Sequence, residues 1–368
     1  MAQKTTDAAA VLPPGRQPRL DALRLRLLPQ LTARAFPIIL VTALVGMFLR
    51  IATTSGGEIA GEQLKNGLQI GAIYALIALG YTMVYGIIEL INFAHGDVFT
   101  LSAFYAILFG QLFGFFGLNV TTLAPSSAGG LIACLLLLFP ITMLAAGITG
   151  VLIERVAYRR LRQSPRLAPL ITAVGVSFLL EGVMFAKFGA ANYPARKDGW
   201  VHGTAFTAGG VPVRWNDVLV LSTALGLMFA LQAFVRGSRL GKAMRATAQD
   251  RDAALLSGIN INRTIAATFF IGSALAGAGA LVYSIYYNSV QWNLGFRYGI
   301  IAFTAAVLGG IGNIVGAGLG GFLIGVISVF GSQLLGGEWE NSIVFAMLII
   351  VLTFRPVGLL GMRVPDRA

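Results

Sequence analysis

Long apolar runs separated by short polar interruptions set the pattern of this chain. Residues 36–51, 67–88, 98–117, 131–153, Leu167–Phe188, 217–235 and 264–287 are each predominantly apolar. Most are near the ~20 residues that a helix needs to cross a bilayer. The pattern predicts an all-α polytopic membrane protein of about 8–10 transmembrane or re-entrant helices. For 36–51 a signal peptide is the competing reading. No small-x-small cleavage site stands out and Arg50 interrupts its end, so a retained first span is preferred.

Two interruptions bear on the fold. Between 88 and 98 the chain reads Glu89, then LINFAHG, then Asp97, with no basic residue anywhere between Lys65 and Arg155. Further on, a single span over 298–333 would leave Arg355, Arg363 and Arg367 outside. Breaking it at Gly309-Gly310-Ile311-Gly312-Asn313 puts them inside and the Glu338-Trp339-Glu340 turn outside. The broken version is preferred, and its first piece, 299–308, is short enough to re-enter rather than cross.

Composition settles the class and charge sets the orientation. The chain has 368 residues, 56% hydrophobic and 11% charged, with mean hydropathy +0.78; soluble domains carry roughly 25% charged residues. Its net charge of +12 suggests nucleic-acid binding in a soluble protein. In a membrane protein, excess Lys and Arg record topology and contact with anionic lipid, so lipid is the expected partner and nucleic acid is not. Basic residues number six in 1–34, five in 154–166, six in 236–263 and three in 355–367, twenty of the 27 in all. Those segments are assigned to the cytoplasm, which puts both termini inside and 189–216 outside. Three regions follow: a basic N-terminal extension (1–34) with leucines at helical spacing, a transmembrane domain (35–355) and a short tail (356–368).

Catalytic chemistry finds little support. One cysteine, Cys134, lies in an apolar run, and the two histidines, His95 and His202, do not make a metal centre by themselves. No G-x-x-x-x-G-K-[ST] phosphate loop is present; the nearest run, from Gly237 to Lys242, is one spacer short. Energy from ATP therefore has to come from another chain, and no cofactor is expected. Gly312, Gly316 and Gly320, with the pairs Gly321 and Gly325 and Gly67 and Gly71, read as small-residue ridges for close helix packing.

Polar groups at membrane depth are expensive unless they face a cavity or partner. Asn92, His95, Gly96 and Asp97 are thus candidates for a substrate pathway lined by irregular backbone. A side chain at 96 would obstruct the break or force a disfavoured backbone angle. The alternative, a tight turn at the membrane surface with all these groups solvated, stays open on sequence alone. Glu181, inside Leu167–Phe188, is a further candidate, with pairing to a neighbouring helix as the simpler explanation.

The longest strongly polar stretch between two apolar runs is 236–263. Within it, Asp252-Ala253-Ala254-Leu255-Leu256-Ser257-Gly258 resembles the E-A-A-x-x-x-G coupling loop of ABC importer permeases. The alanines would permit close approach to a short helix, Asp252 suits its positive end and Gly258 would end it. Together with NGLQIGAIYALIALGYTMVYGIIELINFAHGD (66–97), IERVAYRRLR (153–162), LLSGIN (255–260) and AFTAAVLGGIGNIVGA (302–317), this resembles the LivH-type permease of branched-chain amino-acid ABC importers.

That resemblance implies a second permease subunit of the LivM type, two ATPase subunits and a periplasmic substrate-binding protein. It also implies a multi-pass location in the inner (plasma) membrane, and an ATPase-coupling role for Arg245, Asp252, Ala253, Ala254 and Gly258. Two features depart from it. The first ~60 residues exceed the usual LivH length, and Asp252 stands where other importers have Glu, without the I-x-L-P that often follows Gly258. Urea and short-amide importers share this permease type. From another class, a channel or an ion-coupled secondary transporter would need no ATPase.

Overall fold

The structure is a computed structural model and describes residues 18–115, 128–162, 164–165, 167–194 and 203–361. Residues 1–17, Arg166, His202 and the last arginines, Arg363 and Arg367, lie outside the described residues, as does 121–127 of the loop expected at 121–130, whose last three residues begin a helix. Helices dominate: α1 (Pro18–Ser55), α2 (Gly57–Ile88), α3 (His95–Phe115), α4 (Ala128–Ile153), α5 (Leu167–Phe188), α6 (Trp215–Gly237), α7 (Arg239–Gln249), α8 (Arg251–Leu256), α9 (Ile261–Tyr287), α10 (Leu294–Gly309), α11 (Ile314–Leu335) and α12 (Glu340–Phe354). Among the described residues eight helices are long and apolar enough to cross a membrane, and Leu294–Gly309 is a shorter apolar one. The protein is an all-α polytopic membrane protein, as its hydropathy predicts.

Helix α2 is the hub, and glycine makes it so. A Cβ at Gly67 would stand 2.8 Å from the Val326 Cα, and one at Gly71 would stand 2.7 Å from the Phe322 Cα. Reciprocally, Gly321 and Gly325 of α11 leave no room for a Cβ against Ala75 and Gly71. These pairings run in opposite directions along the two helices, so α2 and α11 are antiparallel with their backbones nearly in contact. The predicted ridges at 67/71 and 321/325 are this interface. Gly316 and Gly320 pack in the same way on Gly309 and Ala305 of α10. Gly312 differs. It has open space around it and φ +92°, so it serves the α10–α11 turn and not a packing face.

Several boundaries differ from the sequence reading. Helix α2 begins at Gly57, ten residues before its apolar run. Its polar first turns are stabilised outside that run, where Lys65 Nζ donates to the Pro212 carbonyl at 2.9 Å and lies 3.8 Å from both Glu62 and Asp217. The segment 189–216, expected outside, includes short strands: β2 (Thr204–Ala208) pairs with β3 (Val211–Arg214) in an antiparallel hairpin. Strand β1 (Tyr193–Pro194) pairs with β4 (Ser289–Val290), tying the end of α5 to the α9–α10 connection. The break at 310–313 is present, but α10 starts at Leu294, not near residue 299. Helix α1 runs without interruption across position 34. After Arg355 the chain remains part of the packed body, because Leu359 and Leu360 donate to the carbonyls of Leu308 and Gly309 at 2.8 and 2.9 Å.

Candidate functional site

Two helix interruptions are built alike. Helix α2 ends on Glu89 and α9 ends on Asn288, the two non-glycine residues with positive φ among those described (60° and 51°). Each is followed by a connection, 89–94 or 288–293, that leads into a helix whose second residue is glycine, Gly96 in α3 and Gly295 in α10. A left-handed non-glycine residue is strained by about 1–3 kcal/mol, and such strain gathers at functional sites.

The first connection starts at the surface and turns back inward. Glu89 is exposed, yet His95 packs against Gly80, where any added Cβ would overlap its imidazole. Gly80 lies eight residues before the end of α2, about 12 Å along the helix axis at 1.5 Å per residue. The break therefore runs from an exposed Glu89 to the buried His95 and Asp97. Glu89 sits at the surface and His95, Gly96 and Asp97 sit at depth.

At depth, the first turns of α3 and α10 cross in contact. A Cβ at Gly96 would overlap the Gly295 carbonyl oxygen and lie 3.0 Å from the Gly299 Cα; one at Gly295 would lie 2.7 Å from the Asp97 Cα. Gly96 has no positive φ. Its glycine is needed for this close approach alone, and the backbone-angle half of the sequence argument does not apply.

The polar groups around the crossing are buried. Asn92 is 2% exposed and accepts from the Tyr158 hydroxyl at 3.0 Å. His95 is 1% exposed, and its ring meets that of Tyr81 edge-on at 4.7 Å. Asp97 is fully buried and its Oδ2 accepts from the Ser177 hydroxyl of α5, while its Oδ1 has no hydrogen-bond partner. The structure thus brings Asn92, His95, Gly96 and Asp97 into one region, enclosed by α2, α5, the α4 extension and α10.

The coupling candidates form a separate unit between α6 and α9. Helix α7 is capped by Ser238, which accepts from the Gly241 N–H at 2.9 Å, and Arg245 Nη1 donates to the Val235 carbonyl at 2.6 Å, bracing α7 against the end of α6. Asp250 caps α8 by accepting from the N–H groups of Asp252 and Ala253 at 2.8 and 3.0 Å. Asp252 is in the first turn and exposed, so the sequence reading placed it well but missed Asp250 as the cap. Ala253 is exposed and Ala254 is buried. Gly258 ends the helix at φ +79°, where the Ile259 N–H reaches the Ala254 carbonyl at 3.0 Å. Leu255 and Leu256 are 60% and 90% exposed on this short capped helix.

A polar cluster joins that unit to the break. Arg251 Nη2 donates to the carbonyl of Ile88, the last residue of α2, at 2.7 Å. Glu154, at the start of a π-turn that extends α4, is wholly buried and paired with Arg159 at 3.1 Å and with Arg162. Arg162 also donates to Asn262 of α9 at 2.7 Å. Burial pulls the Arg162 guanidinium below its ordinary value, and the Glu154 carboxylate opposes that shift. Removing one partner of such a buried pair costs about 3–5 kcal/mol. Sequence reasoning took 154–166 as a positive-inside signal and IERVAYRRLR as part of the resemblance, and gave Glu154 no role of its own. A cavity of about 340 Å³ opens here, lined by Glu89, Arg162, Asp250, Arg251 and Asp252 among others.

Glycine-packed spans, two helix starts meeting among buried polar groups and an exposed capped hairpin belong to an all-α polytopic membrane protein. Residues 63–352 match the family described as branched-chain amino acid transport system / permease component, and the chain belongs to that family. It is 43% identical over 303 residues to the high-affinity branched-chain amino acid transport system permease protein BraD of Pseudomonas aeruginosa, covering 82% of this chain and 95% of that protein. It is 39% identical, with the same coverage, to the permease proteins LivH of Salmonella typhimurium and of Escherichia coli K12. No solved structure matches. The protein is a multi-pass permease of the inner membrane.

Proposed function

We propose that this chain forms the pathway for branched-chain amino acids in an ABC importer. In this reading it works beside a LivM-type permease, is loaded by a periplasmic binding protein and is driven by two ATPase subunits. It hydrolyses no ATP itself. The observation that carries the coupling is α8, a capped helix with Leu255 and Leu256 turned to the surface. Large apolar side chains held outward on a cytoplasmic hairpin are a protein-docking feature. ATP binding closes the ATPase pair against 244–258, and Asp252, Ala253, Ala254 and Gly258 shape the docked helix.

The movement has a short physical route inward. Arg251, at the start of α8, holds the terminal carbonyl of α2 next to the strained Glu89. Arg245 links α7 to the end of α6. A push on α8 therefore bears on the 89–94 connection and on the Asn92, His95, Gly96 and Asp97 region, where the two part-helices separate to pass substrate. The binding protein selects the ligand and the permease supplies the route.

A tag on this chain is expected to bring down a second permease and two ATPase copies from membranes that express the whole system. Recovery of this chain without any ATPase would contradict the reading and favour an ion-coupled transporter or channel.

A further inference from the structure

Helix α5 is apolar along its length except for a few residues, and half of its positions are exposed. Its buried edge carries Ala173 and Met184, with Ser177 beside them donating to Asp97. One turn on from Ser177 stands Glu181, which is partly buried and within electrostatic reach of Asp97. The neighbouring-helix partner expected for Glu181 is not there, because no hydrogen bond or ion pair to its carboxylate occurs among the described residues. Asp97 likewise keeps a buried Oδ1 without a partner, against Gly295. Glu181 thus stands one turn of α5 from the Ser177–Asp97 contact between α5 and α3.

An ionisable group within a span is costly unless it meets a partner or lines a water-filled route. Around Glu181 the exposed face of α5 is open, and Gly175 and Gly182 have nothing within 4 Å of an added Cβ. The Ser177–Asp97 contact itself adjoins the crossing of α3 and α10, where Asp97 packs on Gly295. We propose that Glu181, with Ser177 and Asp97, is the subsite that receives the ammonium group of the zwitterionic amino acid in transit. This rests on the reading of the chain as an amino-acid permease. Asp97 holds Ser177 and hence the register of α5, while Glu181 presents the negative charge to the route. The apolar side chain of the substrate then lies along the exposed apolar surface of α5.

The test uses the full importer in proteoliposomes, with labelled leucine supplied on the binding protein. Glu181→Gln is expected to lower uptake per assembled complex at least tenfold, and Glu181→Asp to restore part of it. A second readout is electrostatic. With Cys134 replaced by serine, a cysteine is placed at Val174, seven residues before Glu181 and on the same stripe of the helix. It should react at least fivefold faster with a cationic methanethiosulfonate than with an anionic one, and Glu181→Gln should abolish that preference.

Unchanged uptake in Glu181→Gln, equal rates for the two reagents, or no reaction at position 174 would overturn the proposal. So would loss of the second permease from the Glu181→Gln complex, since Glu181 would then be pairing with a cation on that subunit. Leucine uptake by the unsubstituted complex is the control. Its failure would remove the amino-acid reading itself, whereas its success beside a normal Glu181→Gln variant would remove only this subsite.

Discussion

Gly258→Pro is expected to leave the permease in the membrane and to abolish the ATP hydrolysis that loaded binding protein stimulates. Gly258 holds φ +79°, whereas proline is fixed near −65° and lacks the N–H that here donates to the Leu255 carbonyl at 2.9 Å. The end of α8 would therefore be rebuilt. Nothing packs around Gly258, so the damage stays in the loop. A bulky charge at the exposed Ala253 should act in the same way, by obstructing the docked face. Leu256→Asp is the cleanest variant, because a side chain 90% exposed has almost no part in folding; such surface changes usually fall within about ±0.5 kcal/mol. All three should reduce stimulated hydrolysis at least tenfold in purified complexes. Normal stimulation in Leu256→Asp would place the ATPase contact elsewhere.

The second large effect lies at the helix crossing. Gly96→Val should reduce uptake per assembled complex at least tenfold, because even its Cβ would overlap the Gly295 carbonyl oxygen and backbone has no rotamer in which to escape. The same overlap strains the fold, so His95→Ala is the companion variant. It removes the imidazole beside Gly80 and Tyr81 without adding bulk, and it too should lower uptake tenfold while assembly stays near normal. Full uptake by His95→Ala would remove His95 from the route. A cysteine at Asn92 that is protected from small aqueous reagents in every transport state would remove the whole 89–97 connection.

Local features were legible in the sequence and distant contacts were not. The bounds of Leu167–Phe188 coincide with the apolar run, since half of that helix is exposed and its apolar stretch is close to the length of a bilayer span. Gly258 could be read as a helix stop because the requirement for positive φ is local. The 310–313 break followed from charge, as only a broken path puts Arg355 on the basic side. By contrast, Gly96 meets Gly295 and Gly299 across almost two hundred positions, and no periodicity within either segment reports such a crossing. The α9–α10 connection was missed for the same reason, although its left-handed Asn288 parallels Glu89. Glu154 was hidden among arginines. A lone acid in a basic run reads as a solvated charge until the fold shows it buried and shared by Arg159 and Arg162. Asp250 was passed over for Asp252 because the coupling pattern begins at 252, whereas the cap belongs to the residue before the helix.

The account stands or falls on ATP-driven amino-acid import through this chain. The direct measurement is uptake of labelled leucine into proteoliposomes that hold the complete complex, with ATP enclosed and binding protein outside. The account predicts accumulation above the external concentration. Uptake should vanish when the ATPase subunits are left out or carry Leu256→Asp permease, and unlabelled isoleucine or valine should compete while urea does not. Leucine movement that persists without any ATPase, or an importer that takes up urea and ignores leucine, would contradict it.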